Sequence, residues 1–171
     1  MQTSMEGNNI RIVIIGILIT AQLLFGCPNF LHYDDAYISL AHHFFHANIF
    51  HLAVNGLSLW TLFRRGVRYD IWPLAMAYII GSISGFCTSA DVVGFSNILF
   101  ALIGIRTPSL KSSWWKQPTV ITFLAITALM AVLPQVSAIT HIVSFVLGCL
   151  VAGAYRIIEN ISRDYRRATY H

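Results

Sequence analysis

Apolar residues run along this chain in long stretches, broken at intervals by charge. Residues 12–33 carry no Asp, Glu, Lys or Arg, and neither do 36–63, 71–90, 92–105 and 117–155. A helix needs about 20 residues to cross the ~30 Å hydrocarbon layer of a bilayer. The first three windows therefore predict one span each. The last is punctuated by Pro134 and long enough for two spans, over about 118–133 and 137–156. The 92–105 window is too short for a full crossing and holds Gly94 and Ser96 near its start. It predicts a short helix from about Ser96, preceded by non-helical chain. The expected fold is all-α: a polytopic membrane protein with a six-transmembrane-helix bundle and a short fourth helix. No repeat, low-complexity tract or linker divides residues 1–171, so the pattern predicts one core with no separate soluble domain.

Composition excludes the soluble alternative. Hydrophobic residues make up 56% of the chain and charged ones 11%, where a globular domain carries about a quarter charged residues. So few charges cannot cover a water-facing surface. Their signs give the orientation. With six spans, every Lys and Arg falls on one side: Arg11; Arg64, Arg65 and Arg68; Arg106, Lys111 and Lys116; and Arg156, Arg163, Arg166 and Arg167. The opposite side holds only Asp34, Asp35 and Asp91. Basic residues mark the cytoplasmic side, which places both termini there. The net charge of +4 then follows from topology and implies no nucleic-acid partner. The Leu24-Phe25-Gly26-Cys27 run faintly resembles a lipoprotein cleavage box, but Phe25 fits it poorly and one Arg makes a weak leader. The first span reads as a retained anchor. Cys27, Cys87 and Cys149 lack metal-ligand spacing; Cys27 and Cys87 fall near the same face and can pair, though free apolar cysteines are the simpler reading.

Polar side chains inside spans are costly and mark function. The second span carries His42, His43, His46, His51 and Asn55; the short helix opens at Gly94-Phe95-Ser96-Asn97; the last span carries His141, Ser144 and Gly148. At 1.5 Å per residue, Asn55 lies about 14 Å above Arg64 and His51 about 20 Å. Ser96 lies about 15 Å above Arg106, and His141 about 22 Å above Arg156. Three helices thus put a hydroxyl, two imidazoles and an amide in one layer of the membrane.

Those groups suit acyl transfer. A serine hydroxyl needs a neighbouring base, and His is the usual one near neutral pH. Ser96 in a first helical turn also offers its backbone N–H to a developing oxyanion. His51 and Asn55 are four apart, share a face and can donate to the same oxygen. No acid is expected at that depth, and Asp91 joins only if its loop folds inward, so a Ser96–His141 dyad is the simpler reading. Ser144 and Gly148, with Ala101 and Gly104, form small-residue stripes for close helix contact. His42 and His43 are expected near the interface, within reach of water, in a structural role.

At these residues the chain resembles the rhomboid family of intramembrane serine proteases. The resemblance lies in His46, His51 and Asn55 on the second helix, Gly94-Phe95-Ser96 and Gly104 on the fourth, and His141, Ser144 and Gly148 on the sixth. It implies Ser96 as nucleophile and His141 as general base, with His51, Asn55 and the Ser96 N–H as oxyanion hole. His46 would support the wet cavity, and Phe100 would stack on His141 where the family often has Tyr. Asn97 and Ser144 stand where the family usually has Gly, and the Trp-Arg pair common in its first loop is absent from residues 27–38. The implied activity is cofactor-free and metal-free cleavage of single-pass transmembrane proteins near the non-cytoplasmic face, with a small residue before the cut and helix breakers nearby. A bacterial inner membrane is the expected location, with transmembrane substrates and the lipid bilayer as partners. Two other classes fit the polar residues: an inactive rhomboid-like protein that binds transmembrane segments, and a metal-dependent membrane hydrolase with His42, His46 and His51 as ligands. Relatives of the first kind typically lose the Ser or the His. The second leaves Ser96 unexplained.

Overall fold

The computed structural model describes residues 4–26, 40–63, 68–88, 93–106 and 137–169, together with Ile121, Ala125 and Ala128. Five α-helices stand among them: α1 (Gly7–Phe25), α2 (Ile49–Leu62), α3 (Ile71–Thr88), α4 (Ser96–Arg106) and α5 (Ala138–Thr169). Of the predicted 118–133 span, only the three isolated positions are described, each helical. The first loop (27–38), Cys27, Asp91, Pro134 and the basic residues Arg64, Arg65, Lys111 and Lys116 lie outside the described residues. Among the described residues two helices, α1 and the Ala138–Arg167 part of α5, are long and apolar enough to cross a bilayer.

The all-α expectation holds for the bundle and misses one small feature. Ser4–Glu6 (β1) pairs antiparallel with Arg68–Asp70 (β2), in the register Ser4↔Asp70, Met5↔Tyr69 and Glu6↔Arg68. This ribbon tethers the start of α1 to the start of α3. Arg11 adds a second tie at the same end. Its guanidinium donates to the Trp60 and Phe63 carbonyl oxygens, both at 3.2 Å, and to Asn8 Oδ1 at 2.7 Å. Helix ends leave their last carbonyls without intrahelical partners, and here Arg11 of α1 satisfies those of α2. The same cation sits 3.5 Å from the centre of the Trp60 ring, a favourable cation–π position.

The 36–63 window is not helical throughout. A 3-10 turn at His42–Phe44 gives way to an extended Phe45, and α2 begins only after Asn48. Asn48 accepts the His51 N–H on its side chain at 2.9 Å, an N-cap that fixes where the helix starts. Non-helical chain at membrane depth is tolerated when it is buried in protein, and His42, His43 and His46 are fully buried. That corrects the placement of His42 and His43 near water. The last helix also exceeds its predicted end near residue 156. It continues to Thr169, with Ile157, Ile158, Ile161 and Tyr165 all exposed.

Helix α4 lies at the centre. Every residue from Ser96 to Gly104 is buried, although the helix is only about 16 Å long. It packs against α3 and, most extensively, α5. The last contact is backbone to backbone. A Cβ on Gly104 would overlap the Phe145 carbonyl oxygen, and one on Gly148 the Ala101 carbonyl oxygen. Small residues let helices approach this closely where no hydrophobic effect drives association. The outer faces of α1, α3 and α5 expose large apolar side chains, among them Ile12, Leu23, Ile79, Ile142 and Leu150, as a lipid-facing surface requires.

Gly104→Val and Gly148→Val should each lower stability by about 1–3 kcal/mol or more, the cost of overpacking. Thermal unfolding in detergent checks this, with Gly153→Ala as control, since a Cβ there meets nothing within 4 Å. Unchanged stability in the valine variants would remove the crossing from the account.

Candidate active site

Gly94 organises the approach to α4. Its φ of +114° belongs to the region that glycine occupies without steric cost. A Cβ there would lie 2.7 Å from His51 Cε1, 2.8 Å from His51 Nε2 and 3.1 Å from Asn55 Nδ2. The bare Cα thus lets the loop settle directly onto the His51 and Asn55 side chains of α2. The Gly94 N–H donates to the His42 carbonyl at 3.0 Å, which anchors the loop from the other side. Two residues later Ser96 opens α4, in the first turn, where backbone N–H groups lack the i−4 acceptor of the helix interior.

Across the glycine crossing, His141 reaches Ser96. The Ser96 Oγ to His141 Nε2 distance is 2.8 Å, in a buried setting. Low surrounding polarity strengthens such a bond. The His141 ring stacks on Phe100 with centroids 4.5 Å apart and planes 13° from parallel, an arrangement worth about 0.5–1.5 kcal/mol beyond burial. Phe100 and Ser96 are one turn apart on α4, so one helix both bonds the imidazole edge and supports its face. The His141 Nδ1 has no hydrogen-bond partner among the described residues, and neither has Asn55 Nδ2. Asn55 therefore holds an uncommitted donor beside Gly94.

The structure brings together Ser96, His141 and Phe100, and sets His51, Asn55 and Gly94 against one another beside them. His46 packs edge-on against His51, with ring centroids 5.2 Å apart. Gly104 and Gly148 lie two turns away at the crossing. Ser144 bonds Ser84 of α3, with the hydroxyl oxygens 2.5 Å apart, and Ser84 also donates to the Gly81 carbonyl at 2.8 Å. The three histidines of the metal reading do not gather. His42 lies against His43, and no group of three His, Cys, Asp or Glu among the described residues is placed to hold a metal ion.

Sequence reasoning missed Ser82 and Ser84, which receive the side chains of His43 and Ser144. The available signal was the pair of serine hydroxyls midway along the third span, where polar side chains are costly. Asn97 is fully buried, with neither side-chain polar atom partnered among the described residues.

No curated protein and no solved structure is significantly similar to the chain. The Rhomboid domain family model matches residues 34–157, a stretch that contains every residue of the site just described. The chain belongs to the rhomboid family of integral membrane proteins.

Proposed function

We propose that this protein is an intramembrane serine endopeptidase that cuts transmembrane segments with a Ser96–His141 dyad. The observation that carries the reading is the buried 2.8 Å bond between the Ser96 hydroxyl and His141 Nε2, which links α4 to α5. In this reading Ser96 Oγ attacks the scissile carbonyl carbon while its proton passes to His141 Nε2. The oxyanion is received by the Ser96 N–H, Asn55 Nδ2 and His51. Collapse breaks the C–N bond as His141 returns the proton to the leaving amine. Water activated by His141 then releases the acyl group from Ser96. The Asn55 amide, unpartnered among the described residues, and the bare Gly94 Cα support the oxyanion assignment. The inactive-relative reading would be favoured by loss of Ser or His, and both are present.

The same reading takes the fold as six spans with both termini on the cytoplasmic side, supported by the one-sided distribution of Lys and Arg. Its substrates are single-pass transmembrane segments, entering as unwound chain. A helix shields its own carbonyls by i→i−4 bonds, so Pro and Gly near the cut favour entry.

Ser96→Ala and His141→Ala should each abolish both cleavage and labelling by a serine-directed fluorophosphonate, with no further loss in the double variant, because nucleophile and base act as a unit. Cleavage by Ser96→Ala at the wild-type rate would end the protease reading. Asn55→Ala should retain activity reduced by about 10²–10³ in rate, the usual effect of one oxyanion donor. A loss too small to measure would assign the oxyanion to other groups. For the topology, Ser96→Cys in a Cys-free background should react with a membrane-impermeant thiol reagent from the non-cytoplasmic side. Labelling only from the cytoplasmic side would invert the orientation.

A further inference from the structure

His43 takes no part in the proposed chemistry, yet it is fully buried and polar on a bilayer-depth turn. Its surroundings are specific. His43 Nε2 lies 3.1 Å from Ser82 Oγ of α3. That hydroxyl already donates its one proton to the Tyr78 carbonyl at 2.9 Å, so Nε2–H of His43 is the donor and Ser82 the acceptor. The ring also faces Tyr78, with centroids 5.4 Å apart. Beneath it is Gly81, where a Cβ would lie 3.1 Å from His43 Cε1 and 3.2 Å from the Ile98 backbone nitrogen. One turn of α3 thus supports both the His43 ring and the first turn of α4. The peptide unit before His43 ends the path: the His42 carbonyl accepts the Gly94 N–H at 3.0 Å.

We infer that His43 and Ser82 are positioning residues that hold the Gly94–Ser96 loop in register with His141, acting through the His42 carbonyl. An apolar side chain could fill the same space, but only a donor at the Nε2 position fixes the ring, and with it the His42 peptide, against α3. A buried imidazole without its partner is costly, so the Ser82 bond selects one arrangement of the turn. Gly94 is two residues from Ser96, and a displacement of about 1 Å at a reacting group can cost ~10²-fold in rate. The inference rests on Ser96 being the nucleophile.

The test uses the full chain in detergent and follows covalent labelling of Ser96 by a small fluorophosphonate, resolved into kinact and KI. Ser82→Ala and His43→Leu should each lower kinact by about 10–100-fold with KI unchanged, because the loop's register changes and the reagent's binding surface does not. The double variant should be no slower than the slower single one, as expected of two groups joined in one interaction. His43→Gln, whose amide N–H can still donate to Ser82, should recover part of the loss. A purely structural pair would lower the melting temperature and leave kinact per labelled site at the wild-type value. That result for Ser82→Ala overturns the inference, even if His43→Leu fails to fold. A wild-type chain whose Ser96 is never labelled would instead overturn the protease reading itself, and this inference with it.

Discussion

The backbone contact between Gly104 and Gly148 sets the height and spacing of everything above it. Helices α4 and α5 run in the same sense from their polar starts, and they touch where neither has a side chain. Ser96 lies eight residues before Gly104 and His141 seven before Gly148. At 1.5 Å per residue both polar groups stand about 11 Å above the crossing. Two helices that meet at one point diverge away from it, so side-chain reach two turns higher depends on the crossing angle. A second brace is needed to fix that angle. Ser144, one turn above Gly148, supplies it through its hydroxyl bond to Ser84 of α3. A hydroxyl at that position keeps the helix close while adding a directional tie that glycine would lack.

Much of this was legible in the sequence because it depends on local periodicity. The depth of each polar group follows from helical rise and the nearest basic residue, and the small-residue stripes follow from spacing. So Ser96, His141, Ala101, Gly104 and Gly148 could be assigned to facing helices without coordinates. The approach of Gly94 to His51 and Asn55 was legible only as a shared layer. Its physical basis, a positive φ and a missing Cβ, depends on where a loop from one part of the chain lands on another.

Other features could not be read because charge and hydropathy carry no information about partners. Arg11 counts in the sequence as one basic residue at a helix start, yet it satisfies carbonyls 49 and 52 residues away. His42 and His43 sit beside a charge-free stretch near a predicted interface, so water was the natural partner. They are buried instead in a turn that leaves the helix at Phe45, with His43 against α3 and His42 against His43. The β1–β2 pairing joins three-residue segments far apart in sequence, too short for any periodicity to announce.

Orientation of the proposed base depends on the contacts around its ring. For Ser96 to donate to His141 Nε2, the imidazole must carry its proton on Nδ1. In a three-residue arrangement a carboxylate would receive that proton and thereby fix both tautomer and ring plane. Among the described residues Nδ1 has no partner. Phe100 fixes the plane by stacking over the ring face. A bond from the Ser96 hydroxyl to Nε2, as the proposed dyad requires, goes with the Nδ1–H tautomer. Stacking needs no hydroxyl on the aromatic ring, so Phe at position 100 can provide it.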